Sequence, residues 1–399
     1  MSGIVIIGAG QAGSSMAVKL RSLGFKGDVT LIGEEPVAPY QRPPLSKKYL
    51  LGEMSLERLY LRPPEFYATQ NINLRLGTKV TAVDTINKSV KLGDETLHYT
   101  HLAFTTGSKP RLLPTSIGGA LGGVFTVRTL ADVEAMQTAF VQGGHVLVIG
   151  GGYIGLEAAA VAVKKGLKVT LIEMADRILQ RVASSETSDY FRDLHTGHGV
   201  KILEGVGLDH LIGDGNVIGA VLSNGHELNI DFAIVGVGIL PNTDLIEGTG
   251  IELNNGIETN GKGQTSIPDV WAAGDCASFP YRGSRIRLES VPNAIDQAEI
   301  VAANLMGKEK DYVASPWFWS DQYDVKLQIA GLNAGFTKVI VRDGGAARSH
   351  WYYRDGSLVA VDAMNDPRAY MVAKRLIEAK RNIDPEVVAN PHSDLKALL

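Results

Sequence analysis

The chain is almost without cysteine. Its 399 residues carry only Cys276, which excludes an intrachain disulfide, a thiolate-held iron–sulfur cluster and a cysteine-only zinc site. No stretch approaches the roughly 18 consecutive apolar residues of a membrane-spanning helix. The opening MSGIVIIGAG enters an apolar run directly, without the basic segment, apolar core and cleavage site of a secretory signal. A formal net charge of −4 gives no electrostatic reason to expect nucleic acid or an anionic membrane as partner. These absences predict a protein of the reducing cytoplasm. With 45% hydrophobic and 21% charged residues, the chain can bury a large core and divides most naturally into two or three domains.

Glycine is abundant instead: 45 residues, above the usual share of about 7%, clustered at the ends of apolar runs. Residues 4–7 read as a strand, Gly8, Gly10 and Gly13 as a turn, and the spacing of Met16, Ala17 and Leu20 as a helix. A second strand, 29–32, ends at Gly33 and Glu34. The plan is repeated downstream: a strand at 146–149, Gly150, Gly151, Gly152 and Gly155, a helix through 157–163, and a strand at 169–172 ending at Glu173. Between the copies, residues 79–84, 90–92 and 97–99 read as short antiparallel strands and 102–105 as a return to the parallel sheet. The Gly-, Pro- and Ser-containing stretch 107–123 reads as a linker. Further apolar runs lie at 232–237 and 270–273, the latter expected to rejoin the first sheet. From Pro316 the texture becomes aromatic and strand-rich, followed by a helix at 370–380.

A dinucleotide's pyrophosphate needs a backbone turn it can approach closely, at the start of a helix whose free amides neutralise it. An acid about 20 residues on accepts hydrogen bonds from a ribose. Glu34 lies 21 residues after Gly13, and Glu173 lies 21 after Gly152. Two such sites imply two cofactors, and a flavin with a nicotinamide is the pairing that does chemistry. At the second site Glu173 would repel a 2′-phosphate, and no arginine immediately follows it, so NADH is expected over NADPH.

At this point the chain resembles a known group. LAFTTGSKPR (102–111) is similar to the threonine-glycine strand of the glutathione reductase-like flavoproteins, and VWAAGDCA (270–277) to their second FAD fingerprint. PPLSKKYL (43–50), LYLR (59–62), VIGGGYIGLEAA (148–159), ESVPNA (289–294) and PWFWSDQY (316–323) narrow the resemblance to the putidaredoxin reductase type of ferredoxin reductase, over essentially the whole chain. It implies an α/β fold of two Rossmann-type dinucleotide-binding domains plus a C-terminal α+β domain: FAD on 1–109 and 242–314, NAD on 110–241, and an interface domain on 315–399.

The resemblance places Ala12, Glu34, Lys47, Val80, Arg128, Asp275 and Val291 around FAD with the turn Gly8, Gly10 and Gly13. It puts Lys47 near flavin N5, paired with Glu157. Gly150, Gly152, Tyr153, Ile154, Gly155 and Glu173 belong to the NADH site, with Tyr153 guarding the nicotinamide pocket. Trp319 could be interior packing, or, as the resemblance implies, lie near the flavin under a ferredoxin-docking surface. Trp317 could equally be interior packing, and Arg62 and Lys326 are candidate basic residues at the rim. The implied reaction passes a hydride from NADH to FAD and single electrons to a [2Fe-2S] ferredoxin, which supplies a cytochrome P450 or a ring-hydroxylating oxygenase. Alternatives are a rubredoxin reductase and a signalling flavoprotein like apoptosis-inducing factor. With one cysteine, no disulfide can store electrons, and Cys276 is expected only to pack.

Overall fold

A computed structural model describes residues 3–399; Met1 and Ser2 of the opening run lie outside the described residues. The chain groups into two compact units. One takes Met1–Gln41, Ser55–Lys109 and Ile239–Pro316, the other Arg42–Met54, Pro110–Gly238 and Trp317–Leu399. Among the described residues no helix is long and apolar enough to cross a membrane.

In the first unit the strand Gly3–Ile7 pairs in parallel with Val29–Ile32 on one side and Glu95–Phe104 on the other. Ile72–Arg75 extends the sheet beyond Val29–Ile32, and Val270–Ala272 pairs in parallel with Glu95–Phe104, so the late apolar run does rejoin the first sheet. Both faces are covered, which is why the central strands are continuous apolar runs without alternation. On one face the helices Gln11–Ser22 and Val291–Leu305 pack together through Met16, Ala17, Leu20, Ala298, Val301 and Ala302. The other face buries Val5, Ile7, Leu102, Phe104, Val270 and Cys276.

One element differs from the sequence reading. The short strand at 97–99 and the return at 102–105 are a single strand, Glu95–Phe104, antiparallel to Ser89–Leu92 in its first half and parallel to Gly3–Ile7 in its second. The polar pair Thr100 and His101 reads as a break. Instead the register shifts between Gly3 and Ile4, and the Thr100 hydroxyl donates to the Gly3 carbonyl at 3.1 Å. The bulge absorbs the polar residues without ending the strand.

The second unit holds a parallel sheet in the order Lys201–Glu204, Lys168–Glu173, His145–Ile149, Phe232–Val235, Val124–Phe125. The helix Tyr153–Lys164 follows its central strand and buries the run from Gly155 to Ala162. Alanine suits this helix, costing no side-chain entropy and allowing close approach on every side. Gly166, at φ +80°, follows the helix in the left-handed region that closes helices. The same unit carries an antiparallel sheet in the order Trp317–Gln322, Val325–Gly331, Ser357–Met364, Arg348–Arg354, Lys338–Asp343. The helix Pro367–Glu378 packs on it, with its Tyr370 and Leu376 in one buried cluster with Trp351, Tyr353 and Val361 of the sheet.

Candidate functional site

Each glycine turn uses its three glycines for three different reasons. Gly8, at φ +111°, sits where a Cβ would lie 2.3 Å from the Thr105 carbonyl oxygen. Gly13 lets helix and strand close up, since a Cβ there would lie 2.0 Å from the Gly8 oxygen. At Gly10 a built Cβ meets no protein atom within 4 Å, so the fold itself places no demand for glycine. The second turn repeats the pattern. Gly150, at φ +107°, would strike the Gly236 oxygen at 2.5 Å and Gly155 the Gly150 oxygen at 2.1 Å, while Gly152 again meets nothing within 4 Å. Gly10 and Gly152 are the N-caps of the two helices, and neither helix start is capped by a side chain. Free amides at a helix start, behind a glycine kept bare for no internal reason, fit the pyrophosphate of a dinucleotide.

The acids behind the two turns are held differently. Glu173 is partly buried, its carboxylate accepting the Gly151 amide at 2.7 Å and the Ala175 amide at 2.8 Å. Arg177, the nearest downstream arginine, is occupied by the carbonyls of Ala183 and Ser184 and the Ser188 hydroxyl. Glu34 is 68% exposed and paired with Lys79 at 3.0 Å.

Behind the first turn, Ala12 is buried, and a Cβ on Gly274 would come within 3.0 Å of its methyl, so the second fingerprint closes directly on the first helix. Asp275 is anchored at both ends: its side chain accepts from the Ser108 hydroxyl at 3.0 Å and its carbonyl from Arg287 at 3.1 Å. Val291 opens its helix at the first position and Val80 is buried. Cys276 is fully buried, its sulfur 3.5 Å from the Ala273 carbonyl and 3.6 Å from that of Phe104, and burial pushes its thiol pKa up. That is the environment of an inert packing thiol, not of a reactive thiolate.

In the second unit Lys47 and Glu157 meet. Pro43 and Pro44 open a short 3₁₀ turn, Pro43–Ser46, whose fixed backbone angles deliver Lys47 immediately after it. Lys47 Nζ lies 2.8 Å from Glu157 Oε2, with Glu157 only 4% exposed. Two partners not foreseen from the sequence complete the carboxylate. The Ser46 hydroxyl donates to Oε2 at 2.9 Å and the Ser320 hydroxyl to Oε1 at 2.6 Å. A buried carboxylate requires such a full set of donors.

The aromatic segment divides by strand alternation. Phe318 and Ser320 face the helix Tyr153–Lys164, where Phe318 meets Tyr153 at 5.2 Å between ring centroids and Ser320 meets Glu157. Trp317 and Trp319, 5.6 Å apart, share the other set of strand positions, and Trp317 also contacts Tyr370 and Lys374. The Tyr153 hydroxyl is buried without a hydrogen-bond partner among the described residues, and burial pushes its pKa well above the usual tyrosine range. Ile154 is 42% exposed. The Arg128 carbonyl accepts from Arg42 at 2.6 Å. Arg62 and Lys326 are both exposed.

Comparison with known proteins agrees with this geometry. Residues 2–298 match the pyridine nucleotide-disulphide oxidoreductase family and residues 317–399 the reductase C-terminal family. The chain is 42% identical to rhodocoxin reductase of Rhodococcus erythropolis, covering 98% of this chain and 93% of the relative. It is 39% identical to putidaredoxin reductase of Pseudomonas putida, covering 99% and 96%. Among solved structures, the covalent putidaredoxin reductase–putidaredoxin complex matches with a TM-score of 0.96 at 38% identity, covering 100% of this chain and 98% of the other. With both dinucleotide turns intact and family-level identity over its full length, the chain belongs to the pyridine nucleotide-disulphide oxidoreductase family and, within it, to the putidaredoxin reductase type of ferredoxin reductase.

Proposed function

We infer that this chain is an FAD-dependent NADH:ferredoxin oxidoreductase supplying a [2Fe-2S] ferredoxin of an oxygenase system. One observation carries the reading: two turns keep a bare central glycine, Gly10 and Gly152, in a chain whose only thiol is buried. Two dinucleotides can be held, and no second thiol is present to take their electrons. Bound FAD supplies the conversion of a two-electron hydride into single electrons.

The residues divide that work. Gly8, Gly10 and Gly13 admit the FAD pyrophosphate to the amides at the start of Gln11–Ser22. Ala12, Glu34, Val80, Arg128, Asp275, Val291 and Trp319 line the remainder of the cofactor, Asp275 pre-set by Ser108. Gly150, Gly152, Ile154 and Gly155 admit NADH. Glu173 exchanges its two backbone amides for ribose hydroxyls, and Tyr153 screens the nicotinamide position. Lys47 holds positive charge at the flavin edge where negative charge develops, and Glu157 fixes Lys47 and balances its charge beforehand. Residues 1–109 and 242–314 form the FAD domain, 110–241 the NAD domain and 315–399 the interface domain of a cytoplasmic enzyme. The test is NADH-dependent reduction of purified [2Fe-2S] ferredoxin by the FAD-loaded protein. Absence of bound FAD, or equal kcat/KM for NADH and NADPH, would count against these assignments.

A further inference from the structure

Beyond Ser320, the hydrogen bonds on Glu157 continue inward. Gln322 Nε2 lies 3.1 Å from Ser320 Oγ, Gln322 Oε1 lies 2.8 Å from His195 Nε2, and His195 Nδ1 lies 3.2 Å from the Tyr323 hydroxyl. Ser320, Gln322 and His195 are each 0% exposed.

The direction of every link follows from the first. An ionised carboxylate only accepts, so the Ser320 hydroxyl spends its proton on Glu157 and can then only accept. Gln322 must therefore turn its amide nitrogen to Ser320 and its oxygen to His195. That oxygen needs a donor, which places the His195 proton on Nε2 and leaves Nδ1 to accept from Tyr323. Four hydrogen bonds thus point one way, from Tyr323 to Glu157, and such a chain polarises in the direction of the charge.

Its far end is held under strain. Tyr323 has φ +54°, in the left-handed region that a bulky residue avoids, at the two-residue turn between Trp317–Gln322 and Val325–Gly331. The ring lies between the two histidines, edge-on to His195 at 5.0 Å and stacked on His198 at 3.7 Å. Strain of this kind persists where the surroundings over-determine it.

We propose that Tyr323, His195, Gln322 and Ser320 form a positioning relay that fixes the orientation of Glu157 and, through it, of Lys47 for hydride transfer. The proposal rests on the assignment of Lys47 and Glu157 to the flavin edge. Ser320 keeps Oε1 occupied, so Lys47 is drawn to Oε2 alone. Without the relay the carboxylate can rotate toward the lysine and pull its ammonium out of place.

The test compares Gln322→Leu, Ser320→Ala, Glu157→Gln and the double variant Glu157→Gln/Gln322→Leu as FAD-loaded enzymes. It measures the hydride-transfer rate at saturating NADH, the NADH dissociation constant and the midpoint potential of bound FAD. Ser320→Ala should slow hydride transfer about tenfold, the scale of one hydrogen bond to a charged group, and Gln322→Leu by roughly threefold to tenfold, the scale of a neutral one. The potential should fall, and NADH affinity should stay within about twofold. Adding Gln322→Leu to Glu157→Gln should cost nothing further, because the relay acts only through that carboxylate. Unchanged rate and potential in the single relay variants, or losses that multiply in the double variant, overturn the relay. If Glu157→Gln itself leaves rate and potential unchanged, the assignment beneath it fails and the relay with it. If Gln322→Leu does not fold, Ser320→Ala, the smaller change, decides.

Discussion

Gly10 and Gly13 are the same residue in the same turn, yet the fold treats them oppositely. A side chain at Gly13 collides with the Gly8 carbonyl, whereas one at Gly10 enters open space. Gly13→Val should therefore destabilise the protein by about 3 kcal/mol or more, seen as a lowered Tm. Gly10→Val should purify folded and colourless, and a folded yellow Gly10→Val protein would contradict the site. At Glu173 the expected change is in specificity. Glu173→Ala should narrow the gap between the two donors, lowering kcat/KM for NADH by about tenfold or more through lost charge-assisted hydrogen bonds and raising that for NADPH by relief of the repulsion on its 2′-phosphate. Cys276→Ser should retain ferredoxin reduction within about twofold, at a stability cost of about 1 kcal/mol for burying a hydroxyl in place of a thiol. The glycines and acids were legible in the sequence because their spacing follows from local backbone geometry. Ser46, Ser108 and Ser320 were not, since a serine becomes a carboxylate's partner only through distant packing.

Among the elements, one strand is matched to one helix. Tyr153 and Glu157 stand four residues apart on a helix, about 6 Å of rise, and Phe318 and Ser320 stand two apart on a strand, about 6.6 Å. The two ladders stay in step, which pairs Tyr153 with Phe318 and Glu157 with Ser320. PWFWSDQY reads as one aromatic block until this alternation divides it, so its buried polar side was not evident beforehand. The same packing gives an acid-dependent stability. Burial lowers the His195 pKa from 6.5 to about 4. Between those values the unfolded chain binds a proton that the folded chain refuses, so this contribution is intact above pH 6.5 and is lost as pH falls toward 4. It amounts to on the order of 1–3 kcal/mol. His350, also lowered to about 4, adds to it, while Asp362, raised from 3.8 to about 6, opposes it by favouring the fold as it protonates. His195→Gln should flatten the fall of Tm between pH 6.5 and 4, and an unchanged slope would show that His195 titrates normally in the folded protein.

For the molecule as a whole, the duplication of the dinucleotide unit was legible because strand, glycine turn, helix and acid are written twice within local stretches. The grouping of Arg42–Met54 with the second compact unit was not, because it depends on Ser46 and Lys47 meeting Glu157 far along the chain. Electron delivery tests the molecule at this scale. If an acidic ferredoxin is steered by basic residues such as Arg62 and Lys326, its association rate should fall as salt rises past about 0.1 M, where the screening length is roughly 10 Å. Hydride uptake from NADH should change far less. The most direct measurement is sequential rapid mixing of the FAD-loaded protein, first with one equivalent of NADH and then with excess [2Fe-2S] ferredoxin, following flavin and iron–sulfur absorbance. The account predicts that NADH bleaches the flavin and that two ferredoxins are then reduced per NADH as the flavin colour returns. A flavin that NADH reduces but that ferredoxin reoxidises no faster than buffer does would contradict it.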